Sequence, residues 1–158
     1  MEKLSRLIKN SPEKVCKAAP ALFLIALCII PAHVFVGKGE PLQNALFFHF
    51  NHANFWHFAV NGLVIARICP RWADVPKAYL SASAAAVGMI LGYSGMVCGI
   101  SGIIFAIIGL RDARKGAFGY RLLAVNSIAG LIPGICWEIH LLSYLIAFSW
   151  QRLTSRKQ

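Results

Sequence analysis

No charged residue lies between Lys17 and Lys38, a separation of 21 residues. Wound as an α-helix this stretch is about 31 Å long, which matches the hydrocarbon thickness of a bilayer. Further apolar runs follow from about Ala53 to Ile68, from about Ala78 to Leu91, from Ser101 to Arg111 and from Arg121 to Arg152, each with basic residues at one end or both. With 58% of residues hydrophobic, 14% charged and a mean hydropathy of +0.61, the composition departs from that of an ordinary water-soluble domain. The expectation is an all-α membrane protein of six transmembrane helices with no room for a soluble domain.

The formal charge of +10 comes from 16 Lys and Arg against 6 Asp and Glu. The basic residues sit in clusters between apolar runs, which is the pattern that orients membrane proteins and not that of a nucleic-acid-binding face. Six spans would gather every basic residue except Lys38 on one side, with both termini cytoplasmic. The corresponding organisation is a basic cytoplasmic tail over residues 1–17, a single membrane domain over 18–152 and a cytoplasmic tail over 153–158. A bacterial cytoplasmic membrane is the expected location, with lipid as a surrounding partner.

Two interruptions shape the bundle. The segment from Gly92 to Gly99 reads GYSGMVCG, whose three glycines disfavour regular helix. The helix after it meets Arg111 only ten residues beyond Ser101, so a short fourth helix and a re-entrant glycine-rich loop are expected, the loop lining a cavity that opens toward the outer side. Pro133 and Gly134 divide the last run into a hairpin of a short fifth helix and a sixth. The third helix carries Ala82, Ala84, Ala85, Ala86 and Gly88, small residues that let neighbouring backbones approach closely.

Polar groups recurring at one depth of such a bundle point to function. His57 lies ten residues before Arg67, Ser101 ten before Arg111, and His140 twelve before Arg152, which places all three about 15 to 18 Å from one boundary. A serine becomes a nucleophile when an imidazole within hydrogen-bond reach takes its proton. Asn61 follows His57 by one helical turn and shares its face, so both side chains can aim donors at a developing oxyanion. The first turn of the fourth helix adds backbone N–H groups at Ser101.

The segment HANFWHFAVN from His52 to Asn61, the tetrad Gly99-Ile100-Ser101-Gly102 and the lone His140 in the last helix together resemble the rhomboid intramembrane serine proteases. The resemblance spans essentially the whole chain. It implies Ser101 as nucleophile and His140 as general base, with His57, Asn61 and the Ser101 backbone stabilising the oxyanion. It further implies that Gly99 and Gly102 permit close approach, that His52 organises the surrounding loops, and that Phe105 packs against the catalytic imidazole. The implied activity is hydrolysis of other proteins within or next to a transmembrane helix, with no cofactor and no metal. Departures from the family pattern are Ser143 and Ala147 where glycines are usual, and a short first outer loop, about Gly37 to Phe47, without the common Trp-Arg motif.

The alternative is a catalytically inactive rhomboid-like protein that binds membrane clients. A Ser-His-Glu triad through Glu138 is disfavoured because residues two apart on a helix do not face each other. Asn126 and Ser127 are expected as interhelical hydrogen-bond donors, Trp56, Trp72, Trp137 and Trp150 as interface anchors, and His33 and His49 as loop or interfacial residues. Cys16, Cys28, Cys69, Cys98 and Cys136 show no zinc-ligand spacing. Only a Cys98–Cys136 bridge arises as a disulfide hypothesis, and two unpaired thiols are the expectation.

Overall fold

The computed structural model describes residues 11–29, 46–50, 52, 55–90, 99–129 and 137–155. These residues are all-helical. In chain order they form α1 (Ser11–Ile29), α2 (Phe55–Ile68), α3 (Val75–Ile90), α4 (Ser101–Lys115), α5 (Tyr120–Ala129) and α6 (Trp137–Ser155), with single 3-10 turns at Phe48–Phe50 and Trp72–Asp74. No strand occurs among them.

Local chemistry sets the helix ends. α1 opens Ser11-Pro12-Glu13, a start suited to the unpaired N–H groups of a first turn, and so begins seven residues ahead of residue 18, inside the expected tail. α2 stops where Cys69 takes a left-handed φ of 50° and Pro70 follows. The Arg111 guanidinium donates to the Ile68 carbonyl there at 3.1 Å, capping one of the helix's orphan acceptors. α4 starts at Ser101 and ends on Gly116, left-handed at φ 68°. α5 and α6 lie either side of the Pro133-Gly134 step.

The lengths of these helices overturn the membrane assignment. Helices α2, α3, α4 and α5 have 14, 16, 15 and 10 residues, or about 21, 24, 22 and 15 Å at 1.5 Å per residue, short of a hydrocarbon core of about 30 Å. α1 and α6 reach 19 residues each, but α1 includes Glu13, Lys14 and Lys17 while α6 includes Glu138 and Arg152. No helix among the described residues is long and apolar enough to cross a membrane. The expected multi-pass membrane protein, with cytoplasmic termini and a site opening to the outer side, is therefore not supported. The glycine segment before Gly99 and the loop with Cys136 lie outside the described residues, as do His33 and Cys98.

α4 is the central helix. Ile103, Ala106, Ile107 and Leu110 are fully buried on it, and they pack with Leu24 of α1, Ile65 of α2, Ala78 and Ala82 of α3 and Ala147 of α6. On α3 the buried Ala78, Ala82, Ala85 and Ala86 form one face, while Ala84 and Gly88 point outward. Large apolar side chains also stay exposed, among them Leu22, Leu63, Val125 and Ile128.

α4 and α6 form the most extensive pair, and they run side by side in the same direction. Gly109 makes this possible: a Cβ there would lie 2.5 Å from the Tyr144 carbonyl oxygen, closer than real Cβ contacts allow. Farther along, Tyr144 donates to Asp112 at 3.0 Å and accepts from the Gly119 N–H at 2.7 Å. The two helices are thus held in register, which matters because one carries Ser101 and the other His140.

Candidate active site

Ser101 and His140 meet at the N-terminal ends of α4 and α6. The serine hydroxyl lies 2.8 Å from His140 Nε2. Gly102, the next residue, faces Ser143 and Ala82 at 3.3 and 3.4 Å from where its Cβ would be, so small residues on α3, α4 and α6 bring the nucleophile's turn against the base's helix. The Phe105 ring covers the face of the imidazole. Around Nδ1 stands a group from a third helix: Asn126 Oδ1 of α5 is 2.6 Å away.

On the other side of Ser101 the His57 ring and the Asn61 amide converge on Gly99. A Cβ at Gly99 would lie 2.6 Å from His57 Cε1, 2.9 Å from His57 Nε2 and 3.4 Å from Asn61 Nδ2. Gly99 itself has φ +98°, a conformation that L side chains rarely adopt. Both conditions require glycine here. Asn61 Nδ2 is buried with no hydrogen-bond acceptor, which leaves an unused donor next to Gly99, two residues before Ser101. At the start of α4, Ile100 supplies no side-chain cap, so first-turn N–H groups have no capping partner from it.

The turn Phe48–Phe50 fixes this wall. The Phe48 carbonyl accepts from the Gly99 N–H at 3.1 Å. His49 within the turn is fully buried and sits 3.0 Å from the Ser83 hydroxyl of α3, and Tyr79 of α3 donates to the Leu46 carbonyl at 2.9 Å. His49 thus lies on the connection between α1 and α2, as a loop residue would, but it is buried there as an anchor of the Gly99 segment and is not interfacial. His52 stacks edge-on against His57, with ring centroids 5.2 Å apart, and against Phe58 at 5.4 Å.

Burial is the main cause that holds His140 below the usual imidazole value, at about 4; His57 acts in the same direction and Glu138 opposes. Burial also lowers His57. A neutral His140 has a lone pair on one ring nitrogen, which is what accepting a serine proton requires. The arrangement can therefore activate a hydroxyl nucleophile beside a cluster of donors.

Asn126 is the residue whose place at the site the sequence did not convey. Its class as an interhelical donor is correct, since its Nδ2 donates to the Trp137 carbonyl at 3.1 Å. Its oxygen meets the imidazole only because α5 packs against the start of α6. Ser127 instead donates within its own helix, to the Leu123 carbonyl at 3.0 Å. Trp72 packs on Phe23 with centroids 5.4 Å apart, and Cys28 and Cys69 are free thiols. Among the described residues no three His, Cys, Asp or Glu side chains are grouped to hold a metal ion. Set against family models, curated proteins and solved structures, the chain matches none.

Proposed function

We propose that this chain is a serine endopeptidase that hydrolyses peptide bonds of other proteins through Ser101 and His140. The observation that carries the proposal is the 2.8 Å contact between Ser101 and His140 Nε2, set beside a buried Asn61 donor without an acceptor. A serine and histidine in contact can serve packing alone. An orphaned donor next to Gly99, two residues before the nucleophile, costs about 1 to 3 kcal/mol, and a transient oxyanion is a partner that would offset it.

In the proposed reaction Ser101 Oγ attacks the peptide carbonyl carbon while His140 Nε2 takes the hydroxyl proton. The carbonyl oxygen becomes an oxyanion that accepts from Asn61, His57 and the Ser101 N–H. His140 then gives its proton to the departing amine as the C–N bond breaks, leaving an acyl group on Ser101. Water, deprotonated by His140, attacks that ester and releases the acid, restoring the serine. Where the bond lies in the substrate follows from the rhomboid resemblance alone: within or next to a transmembrane helix of another protein.

The test is cleavage of a single-span substrate in detergent micelles by the purified chain and by Ser101→Ala and His140→Ala. Nucleophile and base act as a unit, so either loss costs nearly as much as both. Substantial turnover by purified Ser101→Ala overturns the proposal. A folded parent chain that binds the substrate and leaves it intact identifies a client-binding protein instead.

A further inference from the structure

We propose that Asn126 is the positioning residue of the site, locking His140 in the tautomer that makes it a base and completing a Ser101–His140–Asn126 array. The inference rests on the peptidase proposal for its catalytic meaning, and on side-chain geometry for its content.

The direction of each hydrogen bond in the array follows from one fixed point. The Trp137 carbonyl oxygen has no proton and can only accept, so the Asn126 group 3.1 Å from it must be the NH2. The other end of the amide, Oδ1, then faces His140 Nδ1 at 2.6 Å. Rotating the amide by half a turn would set two oxygens against each other at Trp137, so the Trp137 carbonyl alone decides the orientation. Since Oδ1 can only accept, Nδ1 carries the hydrogen. In a neutral imidazole Nε2 is then the unprotonated nitrogen, and it is the one 2.8 Å from Ser101 Oγ. The serine hydroxyl donates to it, as proton abstraction requires.

Without Asn126 either tautomer is open to the ring. The form with the hydrogen on Nε2 presents a donor to Ser101 and has no lone pair there to receive a proton. Asn126 is buried, with 6% of its surface exposed, so water does not readily take its place. Once His140 is protonated, Oδ1 accepts from the imidazolium and holds the ring for the return transfer. An amide performs this without placing a carboxylate in the interior, where an unpaired charge is costly. The same division of roles is found where an asparagine orients the histidine of a cysteine nucleophile.

The experiment has two arms on the full-length chain. In the first, 15N NMR of the histidine ring reads the tautomer of His140 in the parent, with His140→Gln identifying the signal; hydrogen on Nδ1 is expected, and hydrogen on Nε2 overturns the proposal whether or not the chain cleaves anything. In the second, Asn126→Leu lowers kcat by roughly 100- to 10,000-fold, the scale of loss when a triad histidine takes the wrong tautomer, while KM stays within about threefold. Asn126→Asp keeps the acceptor at Nδ1, gives up the bond to the Trp137 carbonyl and adds a charge, so it retains more activity than Asn126→Leu and moves the acid limb of the rate profile to higher pH. A kcat for Asn126→Leu within about threefold of the parent, or an unmoved acid limb in Asn126→Asp, overturns it. Should Asn126→Leu fail to fold, the parent's tautomer and the Asn126→Asp profile decide. A parent that cleaves no substrate defeats the peptidase proposal and leaves the tautomer result to judge Asn126.

Discussion

The Phe105 ring lies flat on the His140 imidazole, with centroids 4.5 Å apart and planes 4° from parallel. Phe105 follows Ser101 by one turn of α4, so the helix that supplies the nucleophile also holds the face of its base. A stacked aromatic pair contributes about 0.5 to 1.5 kcal/mol beyond its buried area. That is small for stability, yet it confines the ring to the plane in which Nε2 faces Ser101.

Phe105→Ala is accordingly expected to lower kcat about tenfold, the equivalent of about 1.4 kcal/mol, with KM nearly unchanged. Phe105→Tyr keeps the stacking surface and should stay close to the parent. Steady-state kinetics on one cleavable substrate distinguish the two.

Removal of an oxyanion donor has a larger effect. Asn61→Ala or His57→Ala is expected to lower turnover roughly 10- to 1,000-fold, the cost of one preorganised donor. Substrate affinity, measured with Ser101→Ala as the background, should change far less. Loss of folding in either variant reassigns that residue to structure.

Two glycines predict different failures. Gly99→Ala places a methyl 2.6 Å from the His57 ring at φ +98°, so it should disable turnover while leaving most of the helical signal. Gly109→Ala drives a methyl to 2.5 Å from the Tyr144 carbonyl, between the backbones of α4 and α6. Overpacking of this kind costs about 1 to 3 kcal/mol, and it should lower the melting temperature and activity together.

How much of this was legible in the sequence varies residue by residue. The level placement of His57, Ser101 and His140 can be counted from the nearest arginines, because helix rise is fixed. Helix lengths are less legible, because an apolar run reads as a span, whereas Pro70 and Gly116 set the ends of α2 and α4 regardless of how apolar the flanking residues are. α1 shows the converse error, since it continues back through Lys17 and Lys14 to its Ser-Pro start at Ser11. Gly109 and His49 carry no local signal at all. Their roles depend on which backbone or hydroxyl packs opposite, and only the assembled helices supply Tyr144 and Ser83.

Far from the site, Asp74 anchors the turn Trp72–Asp74 to α4. Its buried carboxylate receives both Arg114 nitrogens, at 2.8 and 2.9 Å, and Arg71 at 3.2 Å. Burial acts to raise this carboxyl, but the hydrogen bonds and charges of Arg114 and Arg71 outweigh it and the net shift is downward from 3.8. A lowered carboxyl contributes stability that is present above the unfolded value and is lost as pH falls through the folded one. Asp74→Ala should therefore cost about 1 to 3 kcal/mol at neutral pH, since Arg71 and Arg114 are partly exposed and are left solvated. Its difference from the parent in urea midpoint should shrink as pH drops below 3.8.

The most direct test of the central claim is covalent labelling of the folded chain by a fluorophosphonate, which reacts with a serine only when a base has activated it, followed by mass-spectrometric mapping of the adduct. The account predicts one adduct on Ser101, absent in Ser101→Ala and strongly slowed in His140→Ala. A folded chain that takes no label at Ser101, or one that labels there equally fast without His140, contradicts it.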